Sequence, residues 1–378
     1  MTGETQPYAL AISLEPLDAS TKLFFGHLAE QLDGNLQVVR YADPRLGAKI
    51  AAASAIILVR GLFEFGTAAW VARAFRIPLY YFVDDNFILL REQRGPWSPF
   101  VGRYSAANVR RRLRAFRGVL LSSESLIDYF RSQDLHHELM LFPPIEWSQP
   151  LSKSPVRSGN VVAFFGGRHL HEVLLKSILP AVRRLATEYP ITLIAAGVGE
   201  PIAPSPGLTV IEQAYNRSYE QGLRQLAEAG VDVLVHPSAP GLLNDRYKNP
   251  HALISAKALG AIPVVSDRPP YSDLGAAGAA LLCDDSSESW HAGLSQALDP
   301  SLRSVIAQRL ARFCSLHYDG LTNREVIATL LRRHEAPSVR LASLRTVVVP
   351  ALLLFSRLRN GLSRLRQATL ATTMNARA

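Results

Sequence analysis

Asn244-Asp245-Arg246-Tyr247-Lys248-Asn249-Pro250-His251-Ala252-Leu253-Ile254-Ser255-Ala256-Lys257-Ala258-Leu259-Gly260-Ala261-Ile262-Pro263-Val264-Val265-Ser266-Asp267 is the densest signal in this 378-residue chain. It reads as a polar loop with two cations, a short helix begun near Asn249-Pro250, a glycine stop at Gly260 and a buried strand. Helix followed by apolar strand is one unit of a parallel sheet, and the same alternation runs outward in both directions. Upstream in this half, strands are predicted at 161–165, 191–197, 208–213 and 231–236, and downstream at 279–283. Helices are predicted at 171–188, 218–229, 249–259 and 287–297. Nearer the N-terminus, residues 8–14, 36–41, 55–60, 78–84 and 118–122 read as short buried strands, with helical patterns at 21–32 and 65–76. The alternation stops at Phe142-Pro143-Pro144 and restarts at Asn160, after a Pro- and Ser-containing stretch that reads as a linker. The expected fold is therefore α/β: two consecutive Rossmann-like, doubly wound parallel sheets facing a cleft. The expected units are residues 1–150, 151–320 and a C-terminal segment of helices with a basic tail, 321–378.

Charge narrows the function classes. The chain carries 41 Lys plus Arg against 32 Asp plus Glu, a formal charge of +9. Residues 94–123 hold seven arginines and residues 336–378 seven more, with no Lys, Asp or Glu in either stretch. The remainder holds 27 basic and 32 acidic residues, which argues against a uniformly basic nucleic-acid binder. Cys283 and Cys314 make neither a disulfide framework nor a thiolate zinc site. The polar start, 1–7, has no basic n-region or apolar h-region, so a cytoplasmic setting is expected. The apolar run 347–355 is about half of what a bilayer crossing needs. Arginines and leucines alternate through 357–366, a pattern suited to an in-plane helix on anionic lipid or to a helix packed across the first domain.

Several residues carry chemistry. Strand 161–165 runs into Gly166-Gly167-Arg168-His169-Leu170-His171-Glu172. Glycines at a strand-to-helix turn admit a ligand to the backbone, and Arg168 or His171 beside a helix start can meet phosphate charge. The alternative is a tight turn whose glycines only permit positive φ. Asp84 and Asp85 end a strand at the cleft edge, where a carboxylate orients an acceptor hydroxyl or caps a helix. His236 ends a strand before Pro237 and reads as a packed core-edge histidine. His136-His137 lacks a third metal ligand at a suitable spacing.

The 244–271 stretch resembles the donor-binding segment of group 1, family 4-type glycosyltransferases, which have the two-domain GT-B fold. It carries Asn244, Arg246 and Lys248, then Gly260, Pro263, Val264 and Val265, then Pro269, Pro270 and Tyr271, in the order of that family. Gly167 to Glu172 is similar to the family's Gly-x-x-x-His-Glu loop, and Tyr81-Phe82-Val83-Asp84-Asp85-Asn86 to its strand-terminal Asp-Asp segment. The resemblance implies sugar transfer from a nucleotide diphosphate sugar to a glycan or lipid-linked acceptor hydroxyl, with retention and without a metal or other cofactor. Arg246, Lys248 and Asp85 would be catalytic, and Gly166, Gly167, Arg168, His171, Asn249 and Ser255 would bind the donor. Two departures stand out: Ser255 occupies the place of the ribose-binding Glu, and Tyr247 that of the first acid of the family's Glu-x7-Glu pair. They leave a second reading open, a glycosyltransferase-like scaffold whose donor site has decayed. The expected partners are a nucleotide sugar, the acceptor and an anionic membrane surface met by 337–378, with no nucleic acid.

Overall fold

The computed structural model describes residues 7–94, 101–147, 150–151, 160–166, 170–198, 201–214, 216–239, 241–272, 278–332 and 348–349. Six strands form the first sheet: β1 (Ala9–Ser13), β2 (Leu36–Arg40), β3 (Ala55–Val59), β4 (Leu79–Val83), β5 (Gly118–Leu121) and β6 (Leu139–Leu141). Six more form the second: β7 (Asn160–Phe165), β8 (Ile191–Ala196), β9 (Leu208–Gln213), β10 (Val233–His236), β11 (Ile262–Ser266) and β12 (Leu281–Cys283). Each sheet is parallel throughout, in the orders β2-β1-β3-β4-β5-β6 and β12-β11-β10-β7-β8-β9. The α/β expectation is met, and every strand read from the sequence is present. β6 carries no strand signal in the sequence, because Leu139-Met140-Leu141 is too short to show a period and none of its residues is fully buried.

Burial follows the two-residue period of a strand covered on both faces. In β1, β3 and β4, Ala11, Ile57 and Phe82 face a central cluster, while Ile12, Leu58 and Tyr81 face an outer one. In the second sheet, Ala163 and Leu234 join the same central cluster, and Val162, Phe164 and Val235 pack outward. The inner faces of both sheets thus share one continuous core. Gly260 ends the helix His251–Leu259 in the left-handed conformation, φ 57°, so the glycine stop is a backbone requirement. The helix Leu321–Arg332 packs back on β1 and β6. Among the described residues no helix is long and apolar enough to cross a membrane.

One glycine sets how closely a helix lies on the second sheet. A Cβ on Gly293, in the helix Ser287–Leu298, would stand 2.5 Å from Cys283 Sγ and 3.3 Å from Val264 Cγ1. Gly293→Val should therefore cost about 1–3 kcal/mol by overpacking. Thermal melting of the purified variant checks this, and an unchanged midpoint would remove the close approach.

Candidate functional site

In a doubly wound sheet the ligand crevice opens where the strand order reverses, at the carboxyl ends of the strands. The second sheet reverses between β7 and β10, and a cavity of about 300 Å³ opens there. Phe165, Ala196, Gln213 and His236, at the ends of β7, β8, β9 and β10, line it together with Gly166, Asn216, Tyr219 and Tyr271. A second cavity of about 140 Å³ lies against the first sheet, lined by Ala19, Ser20, Leu23, Phe24, Asp84 and Asp85. Lys248, Asn249 and His251 line both. The donor loop of the sequence reading therefore stands at the junction of a larger cavity on one sheet and a smaller one on the other.

Arg60 organises the smaller cavity. It follows β3 with φ +64°, a conformation that side chains with a Cβ seldom adopt and that must be held by its surroundings. The Tyr81 and Tyr104 hydroxyls both donate to its carbonyl, at 2.8 and 2.9 Å. Its guanidinium meets Asp84 at 3.1 Å, Asp85 at 2.7 Å and Ser20 Oγ at 2.7 Å. Burial lifts the Asp84 carboxyl to about 6, with the Asp85 charge adding to the rise and Arg60 opposing it. Asp85 is buried as well, but Arg60, Lys248 and a hydrogen bond from Asn244 outweigh desolvation and hold its carboxyl below the usual value. Both Asp85 oxygens are engaged, Oδ2 by Arg60 and Oδ1 by Asn244 Nδ2 at 2.8 Å. Nothing local in the sequence marks Arg60, because its partners are distant along the chain, Ser20 by 40 residues and Asp85 by 25.

On the opposite wall, Lys248 Nζ is 2.9 Å from Asp245 Oδ1. Burial disfavours its charge, yet the carboxylates of Asp85, Asp245 and Asp84 prevail and hold the ammonium above its usual value. Burial, with Lys248 adding to it, depresses the His251 imidazole to about 4, so it is neutral at physiological pH. Its ring meets His236 edge-on, centroids 4.9 Å apart. Asn249 Nδ2 is buried without a hydrogen-bond partner among the described residues, an amide placed where a polar ligand atom would satisfy it.

Other expected site residues are placed differently. Ser255 is fully buried and lines neither cavity. Its hydroxyl donates to the His251 carbonyl at 3.0 Å, so the 2.7 Å bond with Tyr219 takes the Tyr219 proton, and no Ser255 proton is left to donate. Tyr247 turns to the first domain, its ring 5.3 Å from Tyr129 and its carbonyl accepting from Ser123 Oγ at 2.8 Å. Arg246, on the 3-10 turn Leu243–Tyr247, is exposed and lines neither cavity. Gly166 lines the larger cavity; His171 opens the next helix but does not line it. Gly167 and Arg168 lie outside the described residues. His236 is a cavity residue as well as a packed one, its Nδ1 bonded to the Phe165 carbonyl.

Asn244 ties the two walls together. Its Oδ1 accepts from the Asn86 backbone N–H at 2.6 Å while its Nδ2 holds Asp85, so the loop that carries Lys248 is fastened to the end of β4. Among the described residues no three His, Cys, Asp or Glu are grouped to hold a metal.

No family model and no curated protein matches the chain. Solved structures do. An alpha-glucosyltransferase in complex with UDP aligns with a TM-score of 0.57 at 11% identity, over 86% of this chain and 100% of that one. The same kind of enzyme also matches in complex with UDP-glucose and DNA containing an abasic site. Sucrose-phosphate synthase from Thermosynechococcus elongatus aligns at 0.57 and 11% identity, over 86% and 98% of the two chains. Anabaena HepE in complex with UDP-glucose aligns at 0.55 and 17% identity, over 86% and 99%. The chain has the GT-B fold.

Two outcomes follow from the charges at the cleft. If the Asp84 carboxylate receives the reacting hydroxyl's hydrogen bond, turnover should rise as pH passes through about 6 and fall as Asp84 is protonated below it. Asp84→Asn should erase that limb, and a limb that survives in the variant would assign it to another group. Asn244→Ala leaves a buried N–H and one carboxylate oxygen unpaired, a cost of about 1–3 kcal/mol each way. Melting and donor titration should both register it, and normal values in both would show that the walls need no such tie.

Proposed function

We propose that the chain is a glycosyltransferase that moves a sugar from a nucleotide diphosphate sugar to an acceptor hydroxyl. The observation that carries this reading is the junction of the two cavities at Lys248, Asn249 and His251. A nucleotide fits the larger cavity, at the reversal point of the second sheet, and its diphosphate would then reach Lys248 and the start of the helix His251–Leu259. As the glycosidic bond breaks, negative charge grows on the departing diphosphate, and the Lys248 ammonium and the helix N-terminus oppose it. The acceptor hydroxyl would enter from the smaller cavity, oriented by Asp84, its oxygen bonding to the sugar carbon as the bond to the diphosphate breaks and its proton passing to the departing diphosphate. The matched structures that hold UDP or UDP-glucose support such a donor.

Further parts of the proposal rest on the family resemblance: retention of configuration, chemistry without a metal or cofactor, and a glycan or lipid-linked acceptor. In the same proposal residues 1–150 carry the acceptor side, 151–320 the donor side and 321–378 the closing helices and basic tail, at the cytoplasmic face of a membrane. One matched structure holds DNA beside its donor, so nucleic acid belongs in an acceptor screen despite the charge arithmetic. A second reading, a scaffold with a decayed donor site, draws on Ser255, which is bonded away from the cleft.

Calorimetry with uridine, guanosine and thymidine diphosphates separates the two, since saturable heat with one of them is expected of the enzyme and none of the scaffold. Lys248→Ala should then lower turnover about 10²–10³-fold with the fold intact. Near-normal turnover would remove Lys248 from the reaction.

A further inference from the structure

The arginines of the first half, read from the sequence as one patch, are resolved by the structure into different tasks. Arg110 is spent on the Gln133 and Asp134 carbonyls. Arg112 Nε donates to the Leu62 carbonyl at 3.3 Å, and its Nη2 stands 3.7 Å from where a Cβ on Gly66 would lie. Gly66 opens the helix Gly66–Ala74, whose residues 66, 70 and 73 share a face. Trp70 on that face is 56% exposed, and Arg73 is exposed one turn beyond. Arg111, on the helix Ala106–Leu113, is exposed with Asn108 as its hydrogen-bond partner.

No carboxylate pairs with Arg73, Arg111 or Arg112 among the described residues, and neither helix contains an acid. Burial, and after it the nearby charge of Arg73, holds the Arg112 guanidinium below its usual value, as expected of like charges facing each other. A cluster of unpaired cations is stable when an external anion completes it.

We propose that Trp70, Arg73 and Arg112, with Arg111 next to Arg112 on the same helix, form a docking surface for an anionic lipid bilayer. The charge complements acidic headgroups, and an exposed indole one turn from a guanidinium suits the headgroup level of a membrane, where its apolar body is buried and its N–H stays hydrated. The surface lies outside both cavities. Residues 60–65 lead from Arg60, beside the smaller cavity, directly into the Trp70 helix. A docked bilayer would therefore lie next to the cavity assigned to the acceptor. The proposal stands apart from the transfer reaction, because docking is read without donor or acceptor.

The test is flotation of the full-length protein with vesicles of phosphatidylcholine alone and of phosphatidylcholine with phosphatidylglycerol. Binding to the anionic vesicles only, weakening with salt, is expected. The double variant Arg73→Gln, Arg111→Gln should bind about thirtyfold more weakly with unchanged melting, and Trp70→Ala should also weaken it. A third variant changes the tail arginines Arg357, Arg359, Arg364 and Arg366 to Gln and should keep most binding. Equal binding to both vesicle types, or no binding, overturns the proposal. So does loss of binding in the tail variant alone, or capture of a DNA duplex through these residues without any vesicle binding.

Discussion

Arg60 is the point on which the cleft depends. A cation placed in a left-handed backbone conformation at the end of a buried strand is costly twice, once in strain and once in desolvation. Both costs are met locally. Two tyrosine hydroxyls fasten its carbonyl, and Asp84, Asp85 and Ser20 surround its guanidinium, with Asp18 at 3.9 Å and the Phe87 ring beneath at 5.4 Å. The same arrangement divides the labour of two adjacent carboxylates. Asp85 is saturated by Arg60 and Asn244 and stays ionised as a structural anion, while Asp84 keeps a titration within reach of physiological pH. Asp85, which the sequence marks for chemistry, lines the same cavity as Asp84 but has both oxygens hydrogen-bonded.

The path from Arg60 continues through Asp85 to Asn244 and the Lys248 loop, so groups on both cavities belong to one electrostatic network. Asp85 and Asp245 keep Lys248 cationic, and Lys248 in turn helps keep His251 neutral. Removing one member alters the protonation of the others as well as a contact. That coupling explains why the loop is anchored on both sides: Asn244 and Tyr247 face the first sheet, while Asn249 and His251 line the cavity of the second.

Much of the fold was legible because both sheets are parallel and covered on two faces. Such strands are nearly uninterrupted apolar runs, and Gly260 and the Pro143-Pro144 pair punctuate them clearly. The reversal points, and hence the cleft, follow once the strand order is known, but strand order is a long-range property that no window of sequence displays. The site was legible in part. Lys248 and Asn249 lie where the local pattern placed them, because a loop between a strand end and a helix start must project into the crevice. Arg246 and Ser255 were misplaced for a rotational reason. Arg246 lies on a tight turn that swings successive side chains apart, and Ser255 lies on the helix flank already covered by Tyr219. Spacing fixes which turn a residue occupies; the packing of neighbours decides whether it sees the ligand.

The chain crosses between its halves near Ile145 and returns near Tyr318, and the crossings touch. The Glu146 N–H donates to the Tyr318 carbonyl at 2.8 Å, the Ile145 N–H to Leu23 at 2.7 Å, and Asn323 Nδ2 to Pro143 at 2.8 Å. Two adjacent, mutually bonded strands of backbone behave mechanically as a pin. Sliding one crossing past the other would break these bonds. The two crossings thus tie the halves at one edge, and the Asn244, Ser123 and Tyr219 bonds tie them again at further points.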